Sequence, residues 1–168
     1  MTKTTLCLMA LGAFLLLPAV SQAAAPSTAE VLGKLHRTNQ HEIEMGKEAE
    51  KDGNTKAVKD FGKMLVKDHT AADKKTMALA KKEKIDITAS TPAMQNELAS
   101  IPPGPDYDSK FAQAMVDGHK KAIADLEEAR ASTDDPQLKK LITELLPTLH
   151  KHEDTAQRIL DGHVASSR

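Results

Sequence analysis

The chain has 168 residues and a formal net charge of −1, with 28% charged side chains of both signs interspersed. That balance leaves no basic footprint for nucleic acid or for an anionic membrane surface. Aromatic residues make up 2% of the chain and tryptophan is absent, so the core must be built from Leu, Ile, Val, Met and Ala, a set that suits close-packed helices better than sheets.

Taken from the start, Lys3 precedes an apolar run, Leu6 to Leu17, and a small, polar stretch, Pro18 to Ala25. This is the pattern of a secretory signal peptide, residues 1–23, with Ser21 and Ala23 satisfying the small-residue rule for cleavage after Ala23. The run is shorter than the roughly 20 residues a membrane-spanning helix needs. The expected mature protein is therefore soluble, without an integral membrane segment, and periplasmic or secreted. Cys7, the single cysteine, falls inside the leader, so the mature chain has no disulfide, thiolate ligand or cysteine nucleophile.

Four long helical patterns follow, in a bundle domain over residues 27–163. The first covers about 28–51, with Ser27 as N-cap and Gly53 as the stop. The second covers about 55–83 after Asn54, a capping residue. Thr91 and Pro92 open a short extra helix ending near Ser100, and IPPGPD, from Ile101, breaks the chain. A third pattern covers about 106–131. The fourth, about 135–162, has Pro136 in its first turn. No stretch alternates strictly, so the fold class is all-α. Two tight hairpins and a long second connection predict a four-helix bundle of the ferritin-like, crossover kind, with a simple up-down bundle still open.

FGKMLVKDHTA, from Phe61, returns as FAQAMVDGHKK, from Phe111, with Phe, Val and His in matching places. On the three-four spacing, His69 falls in the stripe of Phe61 and Leu65, His119 in that of Phe111 and Met115, and His152 in that of Leu145 and Leu149. In the first helix the stripe runs Leu32, Leu35, Asn39, Glu42, Gly46, with Glu42 as the inward charge. Each of these residues lies near the middle of its helix, so Glu42, His69, His119 and His152 should meet in one layer. Buried groups of this kind must satisfy one another, a water or a metal ion. Three imidazoles and a carboxylate suit one divalent ion of zinc, iron, copper or nickel. A metal-free polar layer that only fixes helix register would leave the same trace. Asp68 is a candidate acceptor for an imidazole on another helix.

No Glu-x-x-His occurs in the chain, which argues against a carboxylate-bridged di-iron centre. Gly-x-Ser-x-Gly, P-loop, dinucleotide and His-Glu-x-x-His patterns are also missing. His41 with Glu44 and His150 with Glu153 read as surface pairs, and His36 and His163 have no convergent partners. Met64, Met94 and Met115 read as core filler. Pro147 inside the fourth helix should kink it.

EIEMGKEAE, VKDFGKMLVKDHTAA, YDSKFAQAMVDGHKKAI and LLPTLHKHEDTAQRIL, in this order behind a leader, resemble an uncharacterised bacterial family of exported proteins that carries the labels domain of unknown function and outer-membrane protein. The likeness extends from about Leu32 to Leu160. It implies a ferritin-like four-helix fold and export to the periplasm, with no assigned reaction; the segments contain no outer-membrane strands. Two functions follow as expectations. One is a metal-binding protein for storage, buffering or a stress-related redox task. The other is a non-catalytic envelope module whose polar layer is architectural; any protein partner is unspecified.

Overall fold

The computed structural model describes residues 26–87 and 101–162. The leader and the short helix expected from Thr91 lie outside the described residues. Within them are four helices and no strand: α1 (Thr28–Asp52), α2 (Lys56–Glu83), α3 (Tyr107–Ser132) and α4 (Pro136–Leu160). No described helix is long and apolar enough to cross a membrane.

The helix ends follow from local chemistry. Ser27 caps α1 in a reciprocal box: its hydroxyl accepts from the Glu30 backbone while Glu30 Oε2 accepts from the Ser27 backbone at 2.7 Å, satisfying donors that a helix start leaves orphaned. Gly53 closes α1 where an added Cβ would meet Ala49 O at 2.6 Å. The next cap differs from the expected one. Thr55, one residue beyond Asn54, caps α2, while the Asn54 side chain donates to Gly104 O at 2.8 Å. Asp135 accepts from Gln137 N and Leu138 N, with Pro136 opening α4. Pro147 sits inside α4, which continues through it.

α1 packs on α2 and α3 on α4, and two thinner seams, α2 on α4 and α1 on α3, join the hairpins. Polar contacts fix the directions. Asp108, in the first turn of α3, accepts from the backbone of Asn54 and Thr55 at 2.7 and 2.9 Å, so α2 and α3 start at the same end. Thr28 donates to Asp135 at 3.0 Å, so α1 and α4 start together at the other. The order is up, down, down, up, and the α2–α3 connection must travel the length of the bundle. This is the single-crossover arrangement rather than the simple up-down bundle.

Parallel α2 and α3 explain the internal repeat. Equivalent positions stand at equal heights, so Phe61 meets Phe111 edge-on at 5.9 Å and His69 meets His119 at 5.8 Å between ring centroids. The core divides accordingly. One cluster, around Leu32, Leu138 and Ile142, fills the end where α1 and α4 begin. Another, around Phe61, Tyr107, Phe111 and Met115, fills the opposite end. Between them lie the buried polar residues.

Candidate metal centre

His69, His119 and His152 are almost wholly buried, and one nitrogen from each ring lies within 4.8 Å of the other two. Among the described residues this is the one such group of possible ligands. Each ring is held from behind by an oxygen that can only accept. His69 Nδ1 is 2.9 Å from Asn39 Oδ1, His119 Nδ1 is 2.8 Å from the Met115 carbonyl, and His152 Nε2 is 3.2 Å from Asp68 Oδ2. An acceptor-only partner places the ring proton on the nitrogen facing it. In neutral rings the protons therefore sit on those three outer nitrogens. The bare nitrogens are His69 Nε2, His119 Nε2 and His152 Nδ1.

Two of the bare nitrogens, His119 Nε2 and His152 Nδ1, stand 3.3 Å apart, and His69 Nε2 has no hydrogen-bond partner. Two lone pairs at that separation repel unless a proton or a cation lies between them. A metal about 2.0 Å from each of two nitrogens sets them roughly 3.3–3.5 Å apart. The spacing thus fits ligation without rearranging the pair.

Burial keeps the rings neutral. Desolvation, then the neighbouring imidazoles, push His69 down to about 2. Desolvation, with His152 beside it, takes His119 to about 4 against the contrary effect of the Met115 carbonyl. His152 is lowered by desolvation while Asp68 opposes the shift. Neutral imidazole is the form that binds a metal.

The sequence grouped Glu42 with the three histidines. It is buried on α1, one turn on from Asn39, with Oε2 unpartnered, and burial raises its carboxyl to about 7. The close group itself is the three imidazoles. From α1 it is Asn39 that touches them. Asn39 stands in the same predicted stripe, and its amide oxygen is what meets His69 Nδ1.

One surface reading needs correction, and His36, outside the close group, has a partner of its own: its Nδ1 lies 2.7 Å from Asp73 Oδ1, and Gln40 donates to the other oxygen of that carboxylate at 2.7 Å. The partner is on α2 and cannot be seen in the periodicity of α1. His41 does not pair with Glu44, which instead accepts from Lys47 at 2.7 Å; His41 Nε2 is buried without a partner, and desolvation lowers the ring's pKa. His150 and Glu153 do form the expected exposed i,i+3 pair, at 3.9 Å.

A cavity of about 360 Å³ opens between the hairpins on the α1-start side of the layer, reaching Asn39, Asp68, His69 and His152. Its walls are mainly apolar, with Leu35, Leu126 and Leu145 among them.

A family model described as domain of unknown function (DUF4142) matches residues 16–159, and the chain belongs to that family. No curated protein sequence matches it significantly. Two solved structures are similar in fold. "CopM in the Cu(I)-bound form" has a TM-score of 0.69 and 14% identity, covering 83% of this chain and 99% of that one. "CopM in the Ag-bound form (by soaking)" has a TM-score of 0.66 and 15% identity over the same shares.

Proposed function

We propose that this chain, as a member of the DUF4142 family, is a copper-binding protein that holds one Cu(I) ion between His69, His119 and His152. The observation that supports the reading is the packing of the three rings: an oxygen holds the outer nitrogen of each, His119 Nε2 and His152 Nδ1 stand 3.3 Å apart, and one nitrogen of each ring lies within 4.8 Å of the other two. Outer partners of this kind fix the tautomer and aim the ring at a metal. Charge favours a monovalent ion. The donors are neutral, and the cost of burying an ion rises with the square of its charge, so a dication costs about four times as much on that account. Asp68, hydrogen-bonded to His152, supplies one compensating negative charge, enough for Cu(I). The solved neighbours in Cu(I)- and Ag-bound forms make the same ion the first to test. Glu42 enters this proposal as the group that would ionise to offset a second positive charge, as zinc or iron would bring. With the leader removed after Ala23, the protein would act in the periplasm or be secreted, as a carrier or buffer of copper.

The test is a competition titration of untagged, metal-free protein with Cu(I) against a colorimetric chelator, with Zn(II) in parallel. One Cu(I) per chain, lost in His119→Ala and in His152→Ala, is the expected result. Glu42→Gln should weaken Zn(II) and spare Cu(I). Equal, weak uptake by the wild type and the histidine variants would leave the layer as a metal-free register device.

A further inference from the structure

The near-neutral charge of the whole chain is not kept face by face. α2 exposes seven lysines against two acids, Asp60 and Glu83. Its other carboxylates, Asp68 and Asp73, are turned to His152 and His36. α3, which stands diagonally across the bundle because the seams of α2 are with α1 and α4, exposes three lysines and three acids. The excess of positive charge therefore belongs to one side of the molecule.

Four of the α2 lysines, Lys63, Lys67, Lys74 and Lys81, are spaced by four, seven and seven residues. At about 100° per residue they fall within about 40° of one another, on the side opposite the buried Phe61, Leu65, His69 and Thr76. They form a straight row roughly 27 Å long at 1.5 Å per residue. Asp60 lies 3.9 Å from Lys63 and is shared with Lys56, while among the described residues Lys67, Lys74 and Lys81 form no ion pair. Like charges four positions apart, as Lys63 and Lys67 are, repel, and an anionic surface laid along the row would offset that repulsion.

The rest of the face selects the kind of surface. Protein interfaces are centred on buried aromatic or aliphatic anchors, and Met77, at 38%, is the one exposed large apolar side chain among the described residues. Nucleic acids are read by arginine and gripped by stacked aromatic rings, and α2 exposes neither. What remains is a flat array of flexible cations. A fluid anionic bilayer can meet every point of a straight row, and clusters of four to eight basic residues on a helix are what such lipid surfaces attract.

We propose that the outer face of α2, along Lys63, Lys67, Lys74 and Lys81, is a docking surface for the headgroups of an anionic phospholipid bilayer. The protein would lie on the surface with α2 against it, and no segment would cross. The assignment stands whether or not the histidine layer holds copper.

The experiment is cosedimentation with vesicles of phosphatidylcholine alone and of phosphatidylcholine with an equal part of phosphatidylglycerol. It uses protein lacking residues 1–23, whose bundle begins at the Ser27 cap, because the apolar leader would itself enter a bilayer. Binding to the anionic vesicles at about 0.1 M salt, loss at about 1 M salt and none to the neutral vesicles are expected. Each lysine at the surface contributes about fivefold, so Lys67→Gln with Lys74→Gln should weaken the partition about thirtyfold. Lys110→Gln with Lys120→Gln removes the same charge from α3. That face is about two helix diameters away, roughly 20 Å, beyond the Debye length of about 10 Å at 0.1 M salt, so this pair should change the partition less than about twofold. Equal weakening by the two pairs in folded protein would mean that net charge and not the α2 face acts, and would overturn the proposal. Absence of binding to the anionic vesicles would also overturn it. Equally tight binding to polyglutamate or duplex DNA at matched charge would give the face to an acidic protein or a nucleic acid instead of lipid.

Discussion

Asn39 and Glu42 show how much a single residue decides in this bundle. Both lie on the inward face of α1, three positions apart, and both are buried. The periodicity of α1 identifies that face, but it does not resolve one turn from the next, and the hydrogen bond to His69 falls to Asn39. A carboxylate that burial holds at about 7 has a measurable consequence. Its folded pKa exceeds the ordinary carboxyl value of 4.5, so Glu42 contributes most below pH 4.5 and that contribution is lost as the pH rises to about 7. The cost of ionisation amounts to about 3 kcal/mol. The histidines act with the opposite sign. His69 and His119 titrate below 6.5 when folded, so the unfolded chain takes up protons first and stability falls as the pH drops below 6.5. Urea unfolding of metal-free Glu42→Gln should therefore show greater stability than wild type at pH 8 and a steeper loss between pH 6.5 and 4.5. Parallel curves for the two proteins would mean that the carboxyl is ionised and solvated.

At the scale of the element, the α1–α2 hairpin depends on two glycines in contact. A Cβ on Gly62 would stand 2.5 Å from Gly46 O, and one on Gly46 would stand 2.7 Å from Gly62 O. Gly62→Ala should thus force the helices apart and cost about 1–3 kcal/mol. Gly118 makes the control. It is exposed in mid-helix, with nothing within 4 Å of an added Cβ, so Gly118→Ala should stabilise by roughly 0.5–1 kcal/mol through helix propensity. Thermal melts of the two variants should move in opposite directions. Asp108→Ala, which removes the acceptor for the start of α2, should lower stability by about 1–2 kcal/mol. Of these features, local signals such as Ser27 and Pro136 were legible because they act within the first turn of their own helices. Asp108 was not, since the helix start it serves is more than fifty positions away. His36 was missed for the same reason, its acceptor being on another helix.

Across the whole molecule, the histidine layer is where the hairpins meet. His69 belongs to the first hairpin and His119 and His152 to the second, while the α1–α3 and α2–α4 seams are sparse. Inward stripes and connection lengths made the bundle and the convergence of these rings legible. The pairing of α1 with α3 and of α2 with α4 was not, because no single helix records which helix of the other hairpin it faces. The crossover also sets a kinetic order. Each hairpin can close through contacts local in sequence, whereas His152 reaches Asp68 across 84 positions, a contact available only after the connection has been laid end to end. Late contacts form after the folding barrier and so govern the rate of escape from the native state. Copper should accordingly leave the refolding limb of a denaturant chevron nearly unchanged and slow the unfolding limb. The ion would then act as a brake on the parting of two preformed halves.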